Sequence, residues 1–140
     1  MVKAYVQNIT IEPRGQKNPQ LLRVVMHEEY TRIDFGYHTY ELYENGGWVK
    51  ISPETYLEDT SSGRQFKLTN TRNIPISPER HNFKSQKDWL FFSLFFEPIP
   101  FKDSVINMIE YENKDFSNFN YYDIEIDTKQ AHRMVQRINF

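Results

Sequence analysis

The sequence contains no cysteine, and this absence excludes several kinds of chemistry. A chain without thiols has no disulfide bonds, no thiolate zinc site and no cysteine nucleophile. The absence does not identify a compartment, because a cysteine-free chain is compatible with both reducing and oxidising surroundings. The localisation therefore stays open on this ground.

The sequence also lacks a long apolar run. The richest apolar stretch, residues 89–96, is far shorter than the roughly 20 residues that a membrane-spanning helix needs. Residues 1–5 lead straight into an alternating segment, without the apolar core and small-residue cleavage site of a signal peptide. We therefore expect no membrane span and no signal peptide in this chain. A piece of a longer or exported parent would look the same.

Charge of neither sign is in excess. The 17 basic and 19 acidic residues give a net charge of −2, so the overall balance does not favour nucleic acid or an acidic membrane. Lys129, His132, Arg133 and Arg137 make the tail mildly basic, but four such groups are ordinary for a solvated helix face. We expect no nucleic-acid partner.

Aromatic residues are abundant: 11 Phe, 9 Tyr and 2 Trp make up 16% of the chain. Such residues concentrate in strands and at recognition surfaces. In residues 89–96 both alternating sets of side chains are apolar, except for Ser93. Pro98 and Pro100 follow, and they lack the backbone donors that would continue a strand. Residues 89–96 are therefore predicted to form a central strand.

Shorter alternating segments separated by turn residues occur along the rest of the chain. Strands are predicted at residues 4–12, 21–27, 30–38, 48–51, 65–68, 105–111 and 119–126. Asn45-Gly46-Gly47 and Ser61-Ser62-Gly63 are typical of tight turns. About eight strands with turns between them predict an antiparallel sandwich or barrel over residues 1–126.

The tail, residues 127–140, is the one segment with helical spacing. Thr128 is a predicted N-cap, and apolar residues recur behind it at Ala131, Met134, Val135 and Ile138. A short C-terminal helix is therefore predicted. Such a helix needs something to pack against, because an isolated helix of about three turns is marginal in water.

The alternation also predicts which side chains form the core. The expected core residues are Ile33, Phe35, Trp48, Ile51, Leu68, Leu90, Phe92, Leu94, Ile109, Tyr122 and Ile124.

Several strand and turn landmarks resemble those of a known family. They are, in order, residues 30–35 (Tyr-Thr-Arg-Ile-Asp-Phe), 45–51 (Asn-Gly-Gly-Trp-Val-Lys-Ile), 73–81 (Asn-Ile-Pro-Ile-Ser-Pro-Glu-Arg-His), 96–100 (Phe-Glu-Pro-Ile-Pro), 109–110 (Ile-Glu) and 118–122 (Asn-Phe-Asn-Tyr-Tyr). This order resembles an uncharacterised bacterial accessory domain, an immunoglobulin-like β-sandwich found beside other modules, peptidase domains among them. The resemblance covers roughly residues 20–126. It implies an immunoglobulin-like fold and an accessory role, and it implies no catalytic residue.

No motif for catalysis or for metal binding stands out. The four histidines, His27, His38, His81 and His132, have no second ligand at helical or zinc-finger spacing. No serine lies in Gly-x-Ser-x-Gly. Asp34 and His38 form a triad only if the fold brings a serine to them, and the candidates are Ser52, Ser77, Ser85, Ser93 and Ser104. We expect no catalytic residue, no metal site and no cofactor.

The second face of the central strand carries the most informative pattern, because Trp89, Phe91 and Phe95 lie on it. We expect this face to be covered by the tail or by another subunit, or to bind a protein partner. A carbohydrate platform is an alternative, with Tyr43, Trp48 and Tyr56 as the candidate rings. The preferred function is a non-enzymatic accessory or protein-interaction module, and a carbohydrate-binding module and a small hydrolase are the alternatives.

Overall fold

The computed structural model describes residues 3–15, 19–38, 48–49, 51–74, 81–82, 89–110 and 120–133. All regular structure in these ranges is β-structure, as predicted, and no helix occurs in them. The twelve strands are β1 (Ala4–Asn8), β2 (Arg14–Gly15), β3 (Gln20–His27), β4 (Thr31–His38), β5 (Trp48–Val49), β6 (Tyr56–Asp59), β7 (Gln65–Arg72), β8 (His81–Asn82), β9 (Trp89–Phe96), β10 (Ser104–Ile109), β11 (Tyr121–Ile126) and β12 (His132–Arg133).

Ten of these strands form one antiparallel sheet, in the order β12-β1-β3-β4-β9-β7-β6-β10-β11-β2, and β5 pairs with β8 in a separate sheet. The prediction of a central strand at residues 89–96 is confirmed, because β9 lies between β4 and β7. Strands β3 and β4, both predicted as strands, form an antiparallel hairpin. The continuous hydrogen-bonded order differs from the two separate sheets of a sandwich.

Strand β7 makes the sheet curl into a half-barrel. Its first residues pair with β6, as in the register Tyr56↔Lys67, and its later residues pair with β9. The change of partner coincides with an irregularity between Leu68 and Asn70, where an extra residue bends a strand and increases its twist. The inner surfaces of the two halves then meet, and the rings of Phe35 and Tyr121 lie 5.4 Å apart.

The core is one cluster of buried side chains from both halves of the sheet. The predicted core residues that the structure buries are Ile33, Phe35, Ile51, Phe92, Leu94, Ile109 and Ile124. Leu68 is partly buried and packs against the cluster. The side chains of Trp48 and Leu90 lie outside the described part of the chain.

The prediction that Tyr122 belongs to the core is wrong, because Tyr121 is buried and Tyr122 is only half-buried. The cause is a bulge, since the pairing of β10 with β11 shifts between Ile106 and Met108. Asp123 adopts a positive φ of 60°, and its amide donates to Asn107 Oδ1 at 2.9 Å. The extra residue moves the alternation by one position.

The predicted helix at Thr128 is wrong as far as residue 133. The carboxylate of Asp127 accepts the amide of Lys129 at 3.0 Å, which closes a turn of the kind that Asp favours over helix. His132 and Arg133 then pair with Val6 and Tyr5 as strand β12. The chain completes the edge of the sheet instead of coiling. Met134, Val135 and Ile138 lie outside the described residues.

A buried glutamine joins the two ends of the curled sheet. Gln7 of β1 donates through Nε2 to the carbonyl of Glu125 at 2.8 Å, and its Oε1 accepts the amide of Asp127 at 2.9 Å. Nearby, the ring of Phe101 stacks on Tyr5 with centroids 3.8 Å apart. The side chain of Gln7 thus satisfies backbone groups at the end of β11 that no neighbouring strand pairs.

Phe91 and Phe92 point to opposite sides of β9, which gives a direct test of which side of this strand faces the core. Phe92→Ala removes a ring from the core and should lower the free energy of unfolding by about 3–5 kcal/mol. Phe91→Ala is the control, because 62% of Phe91 is exposed, and it should cost less than about 1 kcal/mol. Urea denaturation measures both values. Equal losses would show that the two faces are misassigned.

The glutamine bridge gives a second test. Gln7→Leu fills similar space but leaves a partly buried carbonyl and a partly buried amide without their partner, so we expect a loss of about 1–3 kcal/mol in thermal or urea unfolding. Gln65→Leu on the exposed start of β7 is the matched control and should change stability by about 0.5 kcal/mol or less. If Gln7→Leu is as stable as the control, the bridge does not hold the two ends together.

Candidate functional site on the outer face of the sheet

Strands β4 and β9 divide their side chains between the core and the opposite surface. In the register Asp34↔Ser93 and Arg32↔Phe95, the alternate residues of both strands point away from the core. Neighbouring strands add Arg23, which pairs with Asp34, and Arg72, which pairs with Ser93. We call this surface the outer face, and its residues are Arg23, Arg32, Asp34, Arg72, Phe91, Ser93 and Phe95.

Asp34 contacts most of the polar side chains of the outer face, and only 8% of its own side chain is exposed. Its Oδ2 accepts hydrogen bonds from Arg23 Nε at 2.5 Å and from Arg32 Nη2 at 3.1 Å. Its Oδ1 accepts the hydroxyl of Ser93 at 2.6 Å. Arg32 Nε lies 2.9 Å from Oδ1, yet it makes no hydrogen bond because its N–H is poorly aligned.

The surroundings keep Asp34 ionised. Burial raises the pKa of the carboxyl, but the hydrogen bonds from Ser93 and Arg23 and the charge of Arg32 together outweigh burial. The net result is a pKa below the usual range of aspartate. One carboxylate therefore holds two guanidinium groups in fixed positions.

Aromatic rings adjoin this charged cluster. Phe91 is 62% exposed, whereas Phe95 is half-buried. The guanidinium of Arg72 lies 5.5 Å from the centre of the Phe95 ring, within cation–π range. On the other side, Tyr30 meets Phe95 edge to face at 5.3 Å, and His27 stacks on Tyr30 at 4.3 Å. Phe95 is thus covered in part by Arg72 and Tyr30, and Phe91 is the more exposed ring.

The outer face carries more positive than negative charge. Arg23, Arg32 and Arg72 face a single carboxylate, that of Asp34. Among the described residues, no carboxylate forms an ion pair with Arg72. This local excess contrasts with the net charge of −2 for the whole chain.

Residues 127–133 of the tail do not cover this face, and residues 134–140 lie outside the described part of the chain, so cover by the rest of the tail or by another subunit stays a prediction. Strand β12 pairs with β1, and β3 and β4 lie between β1 and β9. Phe91 consequently stays largely exposed, while Phe95 is covered in part by Tyr30 and Arg72. The backbone of Trp89 pairs with His38, and the Trp89 side chain lies outside the described part.

The described residues do not assemble the predicted carbohydrate platform. Tyr43 lies outside them, as does the side chain of Trp48. The backbone of Trp48 belongs to the two-stranded sheet, whereas Tyr56 lies on β6 of the large sheet and is half-buried. The platform stays a prediction.

Ser93 and Asp34, two candidates for a triad, do meet, but not in a triad arrangement. In a triad the serine donates to a histidine, which in turn donates to the carboxylate. Here Ser93 donates directly to Asp34. His38 is four residues further along β4, about 13 Å away in an extended strand. The contact between Ser93 and Asp34 therefore anchors β9 to β4.

The remaining candidates for chemistry lie apart from one another. His27 is buried, and its Nδ1 accepts the amide of Glu29 at 3.0 Å. The backbone amide of Ser52 donates to Glu110, and the hydroxyl of Ser104 donates to the carbonyl of Lys102. Within the described residues, no group of three or more metal-ligating side chains occurs.

Sequence reasoning missed Arg23 and Arg72 as members of this surface, and Tyr30 as the ring that packs against Phe95. Alternation in β4 already places Arg32 and Asp34 on one side of the strand, and this was the only sequence signal for the charged part of the outer face. The partner of Asp34 on β3 depends on an irregularity between Leu21 and Arg23, which brings Arg23 opposite Asp34. A bulge of this kind has no clear sequence signature.

In comparisons with known proteins, the chain matches no protein-family model, no curated protein and no solved structure. In the described part of the chain, no helix is long and apolar enough to cross a bilayer.

The Asp34 cluster predicts a specific dependence of stability on pH. Because the pKa of Asp34 is lower in the folded state, its stabilising effect is complete above the unfolded value of about 3.9. The effect is lost as the pH falls through the lower folded value. At neutral pH, Asp34→Asn should cost about 1–3 kcal/mol in urea unfolding, and the difference from wild type should shrink toward pH 2.

Asp123→Asn is the matched control for this prediction. Asp123 pairs with Arg14 at the surface, where both side chains are about half exposed or more, and exposed pairs contribute little. The control should lose less than about 1 kcal/mol at any pH. A loss from Asp34→Asn that does not change with pH would contradict an ionised, charge-paired Asp34.

Proposed function

We propose that this chain is a non-enzymatic accessory module that binds a protein partner through the outer face. The observation that carries the proposal is the exposure of Phe91, at 62%, in the middle of a large sheet beside a fixed group of arginines. An exposed aromatic ring beside arginines on the face of a sheet fits a surface that a protein partner covers, because such interfaces are enriched in both residue types.

The composition of the outer face supports this proposal. Aromatic residues and arginine are enriched in protein interfaces and in their energetic hot spots. The outer face contains Phe91 and Phe95 together with three arginines. Asp34 and Ser93 hold the Arg23 and Arg32 side chains in place. Less side-chain entropy is then lost when a partner binds, which favours affinity.

The outermost strands of the ten-stranded sheet are short, which favours a face of the sheet over its edge as the contact surface. A partner strand can add to a sheet only where a long edge strand leaves its backbone groups unpaired. Over the residues that the structure describes, the outermost strands, β12 and β2, have two residues each. They offer little backbone for strand addition, so side chains on a face are the better means of recognition.

The resemblance to immunoglobulin-like accessory domains agrees with this role and remains part of the proposal. Supporting it are the antiparallel all-β fold and the pairing of β3 with β4 over the landmark residues 30–35. Carbohydrate binding is the less favoured alternative, because stacking on sugars needs coplanar exposed rings. Tyr30 and Phe95 instead meet at an interplanar angle of 65°.

A displayed library of random peptides tests the proposal without a known partner. The intact chain is immobilised, and enriched peptides are synthesised and measured by fluorescence anisotropy. Phe91→Ser should weaken their binding about tenfold or more, because hot-spot rings contribute that much. Ile11→Ser is the matched control, since Ile11 is also 62% exposed but lies outside the outer face. It should leave binding unchanged.

Two results would contradict the proposal. One is that no peptide is enriched over a blank surface. The other is that the enriched peptides bind equally well to wild type and to Phe91→Ser. Circular dichroism and thermal melting of each variant confirm that the fold is intact, so that a loss of binding reports on the surface.

A further inference from the structure

We infer that the outer face recognises an extended acidic peptide segment, in which two carboxylates flank an apolar side chain. This inference rests on the proposed function and specifies its ligand. It follows from the charge balance, the free donor capacity and the spacing of the arginines on the outer face.

The two terminal nitrogens of the Arg23 guanidinium can still donate hydrogen bonds, because only Nε donates to Asp34. A guanidinium carries five N–H donors in a planar fork, and Arg23 donates to Asp34 through Nε. Among the described residues, no acceptor bonds its two terminal nitrogens. The side chain is 48% exposed, so the fork is open to a carboxylate from outside, a partner that guanidinium binds well in bidentate form.

Arg72 provides a second cationic position. Its guanidinium lies over the Phe95 ring, and no described carboxylate neutralises it. A cation held over a ring keeps its charge and its N–H donors at the edge available. Arg72 therefore attracts a carboxylate on the side of the outer face opposite to Arg23.

The register sets the distance between the backbones of Arg23 and Arg72, which carry the two cationic groups. Arg72 pairs with Ser93, Ser93 with Asp34, and Asp34 with Arg23, so a single row crosses four neighbouring strands. Three strand spacings separate the ends of the row, which is about 14 Å. An extended peptide spans that distance between residues i and i+4. Its residue i+2 points to the same side and can contact the exposed ring of Phe91.

The same features favour an acidic peptide over a polyanion. Nucleic acid is held by many phosphate contacts from Lys and Arg, whereas the outer face has three arginines, one of them only 20% exposed. The whole chain carries a net charge of −2, which repels a long polyanion. Two carboxylates beside an apolar group match the number of open guanidinium groups and the open ring.

A pair of fluorescein-labelled peptides tests the inference. The first has the pattern Glu-Ser-Leu-Ser-Glu within a neutral flanking sequence, and the second has Gln in place of both Glu residues. Fluorescence anisotropy should show that the acidic peptide binds the intact chain about tenfold or more tightly than the amide peptide. Its affinity should fall as the salt concentration rises from about 50 to about 300 mM.

Variants of the chain then locate the contact. Arg72→Gln should weaken the acidic peptide severalfold and leave the amide peptide unchanged, so that the preference for acid shrinks. Arg64→Gln is the matched control, because Arg64 also lies over a ring, that of Phe66 at 4.8 Å, but it lies outside the outer face. This control should bind both peptides like wild type.

The outcomes separate this inference from the proposed function. If both peptides bind equally and Phe91→Ser still abolishes the binding, the acidic specificity is wrong and the interaction surface stands. If neither peptide binds at about 1 mM while the library does yield ligands that depend on Phe91, the acidic ligand is likewise wrong. A single-stranded oligonucleotide that binds more tightly than the acidic peptide, with the same dependence on Arg72, would overturn the choice of a peptide.

Discussion

The pairing of β4 with β9 is the constraint on which the rest of the structure depends. The two strands pair without interruption from Thr31↔Phe96 to His38↔Trp89. This register buries Phe92 and Leu94 on one side and places Ser93 beside Asp34 on the other. A slip by one residue would exchange the two faces, exposing the core set and burying a carboxylate without its partners. Core packing and the outer face therefore specify the same register.

The buried carboxylate of Asp34 links this register to the proposed function. A buried ion pair contributes less to stability than its geometry suggests, because both charges lose water. It can contribute specificity instead, since a wrong register leaves the charge unpaired. On the outer face it also orients Arg23 and Arg32 before any ligand arrives. The contacts of Asp34 with Arg23 and with Ser93 fix β3 and β9 relative to β4 and thus prepare the proposed binding surface.

Local sequence signals predicted β1, β3, β4, β5, β7, β9, β10 and β11 and the tight turn at Ser61-Ser62-Gly63, where Gly63 adopts a φ of +74°. They did not predict the two-residue strands β2, β8 and β12. They predicted the core where alternation is regular, as at Ile33 and Phe35. They failed where a bulge shifts the alternation, as at Tyr121. They also failed in the tail, where pairing with β1 outweighs the helical spacing. Each failure depends on a partner strand distant in sequence, which periodicity does not report.

The outer face was also predictable only in part, because some of its residues follow from alternation within one strand and others depend on pairing between strands. Residues Phe91 and Phe95 follow from the alternation within β9, so the sequence alone marked them. The arginines that complete the surface come from β3 and β7, and their positions depend on irregular pairing with β4 and β9. Exposure of Phe91 depends in addition on where the tail packs, and the described tail residues His132 and Arg133 pair with β1 at the edge of the sheet.

The most direct test of the central claim, that Phe91 is open to solvent while Phe92 is in the core, is ¹⁹F NMR. 4-Fluorophenylalanine is placed at one position at a time, and the resonance is compared in H₂O and D₂O. The structure predicts a clear solvent isotope shift for the label at Phe91 and none for the label at Phe92. The absence of a shift at Phe91 would show that the outer face is covered and would contradict this account.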